Sequence, residues 1–149
     1  MAGDERFTAY CGLFCGDCIP ARKSLFEAAG KLEDLLKELQ FENYAESKAK
    51  TDGVFDDYQE FAGVLSAIMR LHCPVPCREG GGKPDCAIRE CARGKSYEGC
   101  WECDERSGCR LLAPLKEFHG ETIEKNLEAI RENGPGGWSG KRGKHYPWS

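Results

Sequence analysis

Ten cysteines in 149 residues constrain this chain more than any other feature, because they fall into two tight groups. Three stand near the start, in the run Cys11-Gly-Leu-Phe-Cys15-Gly-Asp-Cys18. The other seven follow between residues 73 and 109: Cys73, Cys77, Cys86, Cys91, Cys100, Cys103 and Cys109. Soft thiolate ligands at such short spacings suit zinc and iron–sulfur clusters. The grouping therefore predicts that all ten cysteines are metal ligands.

The second group lies in a segment that hydrophobic burial alone could hardly order. Residues 73–109 are rich in glycine and proline and hold few apolar side chains beyond Val75, Ile88, Tyr97 and Trp101. Ordering a backbone costs about 1–2 kcal/mol per residue in entropy. A structural zinc ion contributes about 10 kcal/mol or more to a small thiolate site. We expect metal binding to be the reason that this segment folds.

Zinc is the metal we expect, because short C-x2-C and C-x3-C turns each supply two ligands of a tetrahedron. Ten cysteines are two more than a pair of four-thiolate sites requires, so either two thiols are spare or some of them bind a third or bridged ion; we expect two zinc ions. Three thiols do not close a tetrahedron, and at least one site should therefore combine residues 11–18 with residues 100–109. The seven bases of residues 73–110, from Arg78 to Arg110, would offset the negative charge of the thiolates.

Disulfides and iron–sulfur clusters are the alternatives to zinc. Disulfides need an oxidising compartment, and the start Met-Ala-Gly-Asp-Glu-Arg-Phe lacks the apolar core of a secretory signal, so we expect a cytoplasmic protein with reduced thiols. The C-x3-C-x2-C spacing is also that of radical S-adenosylmethionine enzymes. Those enzymes need most of a (β/α) barrel of roughly 200 residues or more. A simple electron-transfer cluster therefore remains as the alternative.

Between and after the cysteine groups, apolar residues recur at helical steps. Residues 24–40 carry a leucine stripe that we expect to close the core of the domain, with Ser24 and Glu27 as a capping box. Further helices are predicted near residues 42–49, over residues 54–71, and from Ala113 to about Arg131 with Gly120 as a weak point. The sequence after Asn133 should end the last helix, since glycine suits a left-handed cap.

These patterns predict a mainly α fold, a small helical domain with a cysteine-rich, loop-rich metal-binding layer. We expect one domain over residues 1–137 and a glycine-rich tail with aromatic and basic residues over residues 138–149, including Lys144. In this tail Trp138 and Trp148 should pack onto the helices. No apolar stretch approaches the ~18 residues of a membrane span, and no strong basic field for nucleic acid exists.

Nothing in the sequence identifies a catalytic site. The three histidines, His72, His119 and His145, stand in no nucleophile motif, and no phosphate-binding or zinc-protease motif occurs. We expect His72 to be solvated or hydrogen-bonded rather than a ligand, and His119 to pack in the last helix. The function hypothesis is a zinc-binding interaction module with structural zinc, an unidentified protein partner and no nameable small-molecule substrate. An iron–sulfur electron-transfer protein is the first alternative and a zinc-dependent hydrolase the second.

Two stretches of the chain resemble a known family. The first is Tyr10-Cys11-Gly12-Leu13-Phe14-Cys15-Gly16-Asp17-Cys18-Ile19-Pro20-Ala21, and the second comprises Cys77, Asp85-Cys86-Ala87-Ile88-Arg89-Glu90-Cys91-Ala92 and Cys100-Trp101-Glu102-Cys103. Their order is similar to that of the cysteine-rich bacterial and archaeal proteins grouped as domain of unknown function 3795. The resemblance spans nearly the whole chain and implies zinc binding without an established activity.

The family commonly has a two-residue gap with glycine at its fourth and fifth cysteines. The gap from Cys73 to Cys77 has three residues and two prolines, so the resemblance supports Cys77 better than Cys73.

Overall fold

The computed structural model describes residues 3–143 and 145–149, and within them the fold is mainly helical, as predicted. Seven α-helices occur in these ranges: α1 (Gly3–Phe7), α2 (Lys23–Glu38), α3 (Phe41–Ala49), α4 (Tyr58–Arg70), α5 (Ala87–Gly94), α6 (Ala113–His119) and α7 (Thr122–Asn133). The same ranges contain no β-strand, only an isolated bridge between Thr8 and Phe14. Lys144 of the predicted tail lies outside the described residues. No helix in the described ranges is both long and apolar enough to cross a bilayer.

The chain divides into two compact units. Residues 1–18 and 75–149 form one, which we call the cysteine unit because it holds every cysteine except Cys73. Residues 19–74 form the other, the helical unit. The single domain predicted over residues 1–137 stays a prediction.

Helices α2 and α4 of the helical unit run antiparallel, in a register set by three contacts. The ring of Phe26 stacks on that of His72 with centroids 4.5 Å apart. One turn along, Gly30 faces the methyl group of Met69, which lies 3.3 Å from the position a Cβ atom would take there. At the next turn Ser66 donates a 2.9 Å hydrogen bond to the Glu33 carboxylate. The side chains of Phe26, Ala29, Ala45 and Leu65 are buried in this unit.

The burial predicted for the leucine stripe of α2 is wrong for four of its five leucines, whereas the fifth, Leu36, is partly buried. Four of its leucines are 40–68% exposed: Leu25, Leu32, Leu35 and Leu39. Helix α2 instead buries Phe26 and Ala29, which lie on the face toward α4. Helical periodicity identified residues that share a face, but the face that α4 covers lies about a third of a turn away from the leucines.

Helix boundaries in the helical unit also differ from the prediction in two places. The residue that caps α2 is Arg22, which makes no side-chain capping hydrogen bond, so the capping box of Ser24 and Glu27 does not form. Glu27 pairs instead with Lys23 at 3.3 Å, one turn earlier in the same helix. The helix predicted over residues 54–71 begins with a 3-10 segment, Gly53–Asp57, whose first turn is capped by the Asp52 carboxylate through the Val54 N–H.

The cysteine unit has a hydrophobic core built from α5, α7 and the loops between them. Its buried members are Ile88, Trp101, Leu112, Ile123, Leu127, Ile130 and Trp138. Four cysteines pack against this core and are partly buried: Cys11, Cys86, Cys100 and Cys109. These four thiols therefore lie against the core of the unit.

The C-terminal helix predicted from Ala113 is two helices, α6 and α7, because Gly120 adopts a positive φ of 60° between them. Ile123, Leu127 and Ile130 are buried as expected, whereas Phe118 is 66% exposed. Gly134, with φ of 74°, follows the end of α7 as predicted. The expectation for the tail is confirmed at Trp138, which is fully buried.

Candidate metal centre

The first cysteine turn is a compact loop held by its own backbone. Ala9 donates a 2.8 Å hydrogen bond to the Leu13 carbonyl, and Cys18 donates one of 3.1 Å to the Cys15 carbonyl. Gly12 has a φ of 88°, and a Cβ atom at this position would lie 2.8 Å from Cδ2 of the buried Leu127. Glycine is therefore required between the first two thiols, because it alone fits the left-handed backbone and the close approach of α7.

The C-terminal tail also holds this loop. The Arg142 guanidinium binds both oxygens of the Asp17 carboxylate, at 2.7 and 2.8 Å, and lies 4.3 Å from the centre of the Phe14 ring. The indole N–H of Trp138 donates a 2.8 Å hydrogen bond to the hydroxyl of Thr8, both being buried. Residues from both ends of the chain thus position the first cysteine turn.

A direct hydrogen bond joins the two cysteine groups. The N–H of Cys100 donates to the carbonyl of Tyr10 at 2.8 Å, so Cys100 lies beside Cys11. Cys100 begins a 3-10 turn, Cys100–Glu102, in which Cys103 donates to the Cys100 carbonyl at 3.2 Å. The same hydrogen bond closes the turn from Cys15 to Cys18. The structure therefore brings together the two segments that the sequence predicted to share a site.

Cys11 has three other thiols around it. Burial raises the pKa of its thiol to about 12, the N–H of Leu13 opposes the shift, and nearby thiolate charge adds to it. That charge comes from Cys77, Cys100 and Cys86. Charges of like sign raise a thiol pKa only when they are close, so these four sulfurs form one neighbourhood.

Cys100 belongs to a second neighbourhood as well. Burial raises the pKa of its thiol to about 12, and further contributions come from Cys109, Cys103, Cys91 and Cys86. Four of these thiols line one cavity of about 580 Å³: Cys91, Cys100, Cys103 and Cys109. Seven cysteines are thus linked through Cys100 and Cys86, a grouping that the spacing alone did not show.

One lysine lies close to the cavity thiols. The pKa of Lys95 is raised first by Cys103, then by Cys91 and by the carboxylate of Glu105, which is 3.7 Å away. Lys95 therefore behaves as expected of a base that offsets thiolate charge. Lys95 is well exposed, so solvent screens these interactions.

Two arginines counted among those bases serve the backbone instead. Arg89, only 5% exposed, donates hydrogen bonds of 2.8–3.3 Å to four carbonyls of the loop between Cys77 and Cys86. Arg78 donates at 2.7 Å to the carbonyls of Thr8 and Glu98 and lies over the ring of Tyr10. Sequence reasoning missed both roles. For Arg89 a signal existed, since it stands between Ile88 and Ala92 on the buried side of α5.

The glycine run at residues 80–82 forms a tight turn. A Cβ atom at Gly81 would collide with the Val75 carbonyl, and Gly80 and Gly82 have φ values of 96° and 73°. The hydrogen bond from Arg89 to the Gly81 carbonyl holds the turn at 3.0 Å. This turn shapes the loop that leads from Cys77 to Cys86, and Cys86 packs against the core of the unit.

The other three cysteines are Cys15, Cys18 and Cys73. Cys15 is partly buried and Cys18 is exposed. Cys73 belongs to the helical unit, where its N–H donates to the Pro20 carbonyl at 2.8 Å. Within residues 3–143 and 145–149, no three or more Cys, His, Asp or Glu side chains are arranged to hold a metal ion. The donor types fit thiolate metal binding, but the side chains do not form a closed coordination sphere.

Two of the histidines have packing roles. His72 stacks on Phe26, and His119 contacts the carbonyl of Leu115 at 2.9 Å through Nδ1. Burial lowers the pKa of His119, which is the behaviour of the packing histidine that we expected.

A search for similar proteins identifies one family. The family model described as "Protein of unknown function (DUF3795)" matches residues 7–114, a range that contains every cysteine. No curated protein and no solved structure matches the chain.

Proposed function

The chain belongs to the DUF3795 family of proteins of unknown function, and from its clustered thiols we propose that it binds two zinc ions in a mainly structural role. The observation that carries this proposal is the grouping of the thiols: Cys91, Cys100, Cys103 and Cys109 line one cavity, and Cys11 and Cys86 pack against the same core as Cys100. Ionising a buried thiol beside other thiols costs free energy, as the raised pKa values of Cys11 and Cys100 indicate. A bound Zn²⁺ ion reverses that cost, because it stabilises the thiolate form.

We assign the seven thiols to two adjoining sites. One would use Cys11, Cys77 and Cys86, and the other Cys91, Cys103 and Cys109, with Cys100 next to both. The donors of each set would have to move closer to the ion as it binds. Structural zinc sites form in this way because binding and local folding are one process.

The structural role follows from where the thiols lie. Four of the seven pack against the core of the cysteine unit, so a bound ion would tie the loops of residues 73–109 to α5 and α7. We propose that the zinc-stabilised unit serves as an interaction module for a protein partner. Reduced thiolate ligands suit a reducing compartment, which supports a cytoplasmic location.

The test is metal analysis of protein purified without oxygen from zinc-replete cells. We expect about two zinc ions per chain, the number that two tetrahedral thiolate sites require. Cys11→Ser and Cys103→Ser should each lower the zinc content by about one ion. Cys100→Ser should lower the zinc content of both sites. Cys73→Ser is the matched control and should leave the zinc content unchanged. Zinc-free wild-type protein that keeps its far-ultraviolet circular dichroism would refute the proposal.

The cavity favours a second candidate, an iron–sulfur electron-transfer protein. Its volume of about 580 Å³ is much larger than one ion needs, and four cysteines line it. Four thiolates are the usual ligands of a [4Fe–4S] cluster. This candidate predicts a brown anaerobic preparation that absorbs near ~400 nm and contains sulfide matching its iron. A colourless preparation without iron or sulfide would exclude it.

A further inference from the structure

The exposed stripe of α2 has the spacing of a coiled-coil seam. Its members follow each other at alternating steps of three and four residues: Leu25, Ala28, Leu32, Leu35 and Leu39. All five are exposed. A strict 3.5-residue period is the signature of helices that pair side by side, and it is narrower than the face by which a helix packs on its own domain.

The helical unit does not use this stripe internally. Helix α2 uses a different face to meet α4 and the residues just after it, through Phe26, Gly30 and Glu33. The positions next to the seam on that side, Ala29 and Leu36, are buried and partly buried. On the other side the seam is flanked by two exposed charged residues, Lys31 and Glu38, that form no ion pair in the described part of the chain.

Helix α4 adds apolar surface on the same side of the unit. Phe61, Val64 and Leu71 repeat a similar spacing and are 45–59% exposed. In each of the two helices the exposed stripe lies about a third of a turn around the helix axis from the face that contacts the other helix. The direction of this rotation is the same in both. Because the two helices are antiparallel, equal rotations place both stripes on one side. An apolar face of this extent is typical of an interaction surface.

We propose that a second copy of this chain covers the face, with the two α2 helices packed antiparallel about a two-fold axis. The charged residues beside the seam favour a second copy of the chain as the partner. When Leu32 is set opposite Leu35 of the second copy, the antiparallel heptad register brings Lys31 beside Glu38 of that copy. The two-fold axis repeats the pair, so two opposite-charge contacts flank the seam.

A parallel pairing lacks this complementarity. In a parallel coiled coil Lys31 would approach Leu36 of the neighbouring helix, an apolar side chain that is partly buried in each copy. The antiparallel arrangement also sets the small Ala28 opposite the larger Leu39, so that the side chains fill the seam. Charge and volume therefore select the same register.

The test is the mass of the full metal-replete chain in solution, measured by sedimentation velocity from about 1 to 300 μM, the range in which a modest interface associates. We expect dimer at the upper concentrations. Leu32→Glu combined with Leu35→Glu should abolish dimer over this range, because four buried carboxylates would face each other. Asp34→Lys, an exposed change on the same helix but off the seam, should leave the dimer intact. Unchanged circular dichroism would show that each variant folds.

Charge reversal distinguishes a second copy from any other occupant. Lys31→Glu alone and Glu38→Lys alone should each weaken the dimer by roughly tenfold, since two attractive contacts become repulsive. The double variant K31E/E38K restores opposite charges and should dimerise as the wild type does. A monomeric wild type, a dimer that survives the leucine changes, or a double variant weaker than both single variants would overturn the proposal. Zinc content is a separate measurement, so the two proposals fail independently.

Discussion

Replacing Arg89 by methionine tests whether a buried cation, rather than apolar packing, orders the loop between Cys77 and Cys86. The guanidinium is nearly enclosed and donates to the carbonyls of Cys77, Gly81, Lys83 and Pro84. Each hydrogen bond from a charged donor contributes about 1.5–3 kcal/mol, but the carbonyls of a surface loop recover part of this from water. Methionine keeps the apolar stem, so the loss is in the hydrogen bonds. We expect a loss of about 4 kcal/mol, similar to breaking one side of a buried charged network.

The assay is thermal unfolding of wild type and variant, followed by circular dichroism. A loss of this size should lower Tm by about 10 °C for a chain near 150 residues. Arg93→Met is the matched control: this side chain is one turn along α5 and 51% exposed, so the change should cost less than about 0.5 kcal/mol. Arg89→Lys keeps the charge but not the planar fork, and its Tm should lie between the two. If Arg89→Met unfolds at the same temperature as Arg93→Met, the carbonyl network does not order the loop.

Three further changes test other parts of the cysteine unit. Gly12→Ala should destabilise the protein by about 2–3 kcal/mol in denaturant unfolding, because φ is 88° there and Leu127 leaves no room. Trp138→Phe removes the donor to Thr8 and part of a buried ring, and should cost about 1–3 kcal/mol in the same measurement. Burial lowers the pKa of His119 in the folded protein below its ordinary value of 6.5. As the pH falls below 6.5, the unfolded chain therefore takes up a proton before the folded protein does, and the free energy of unfolding decreases. A His119→Gln variant should lose this acid dependence, and an NMR titration giving a pKa above 6.5 would contradict the reasoning.

Periodicity predicted the helices well but not what covers them. Helices α2, α3 and α4 and the two C-terminal helices all lie where apolar residues recur at three- and four-residue steps. The same pattern led to the wrong burial of Leu32 and Leu35. A stripe shows which residues share a face, whereas the choice between the body of the chain and an outside partner depends on tertiary packing that a single sequence does not contain.

At the candidate metal centre, cysteine spacing predicted that the two cysteine groups would meet, but not which hydrogen bond would join them. The need for a fourth ligand led us to expect the first turn beside residues 100–109, and the backbones of the two segments do meet, whereas a shared metal ion stays a prediction. The hydrogen bond from Cys100 to Tyr10 that joins them is between backbone atoms, so no side chain announces it. The role of Arg89 was missed for a similar reason, since its acceptors are carbonyls that every residue carries.

The division of the cysteine unit into residues 1–18 and 75–149 has a consequence for the newly made chain. Cys11 leaves the ribosome well before Cys77, Cys86 and Cys100 are synthesised, and at about 5–20 residues per second the wait for Cys100 is roughly 5–20 s. During that interval residues 19–74 are complete enough to form their helices, while the first turn still lacks its neighbours. The order of synthesis therefore leaves the N-terminal thiols open to oxidants or to competing metals for seconds in every molecule made. Zinc binding at the proposed sites would then depend on how quickly the next hundred residues follow.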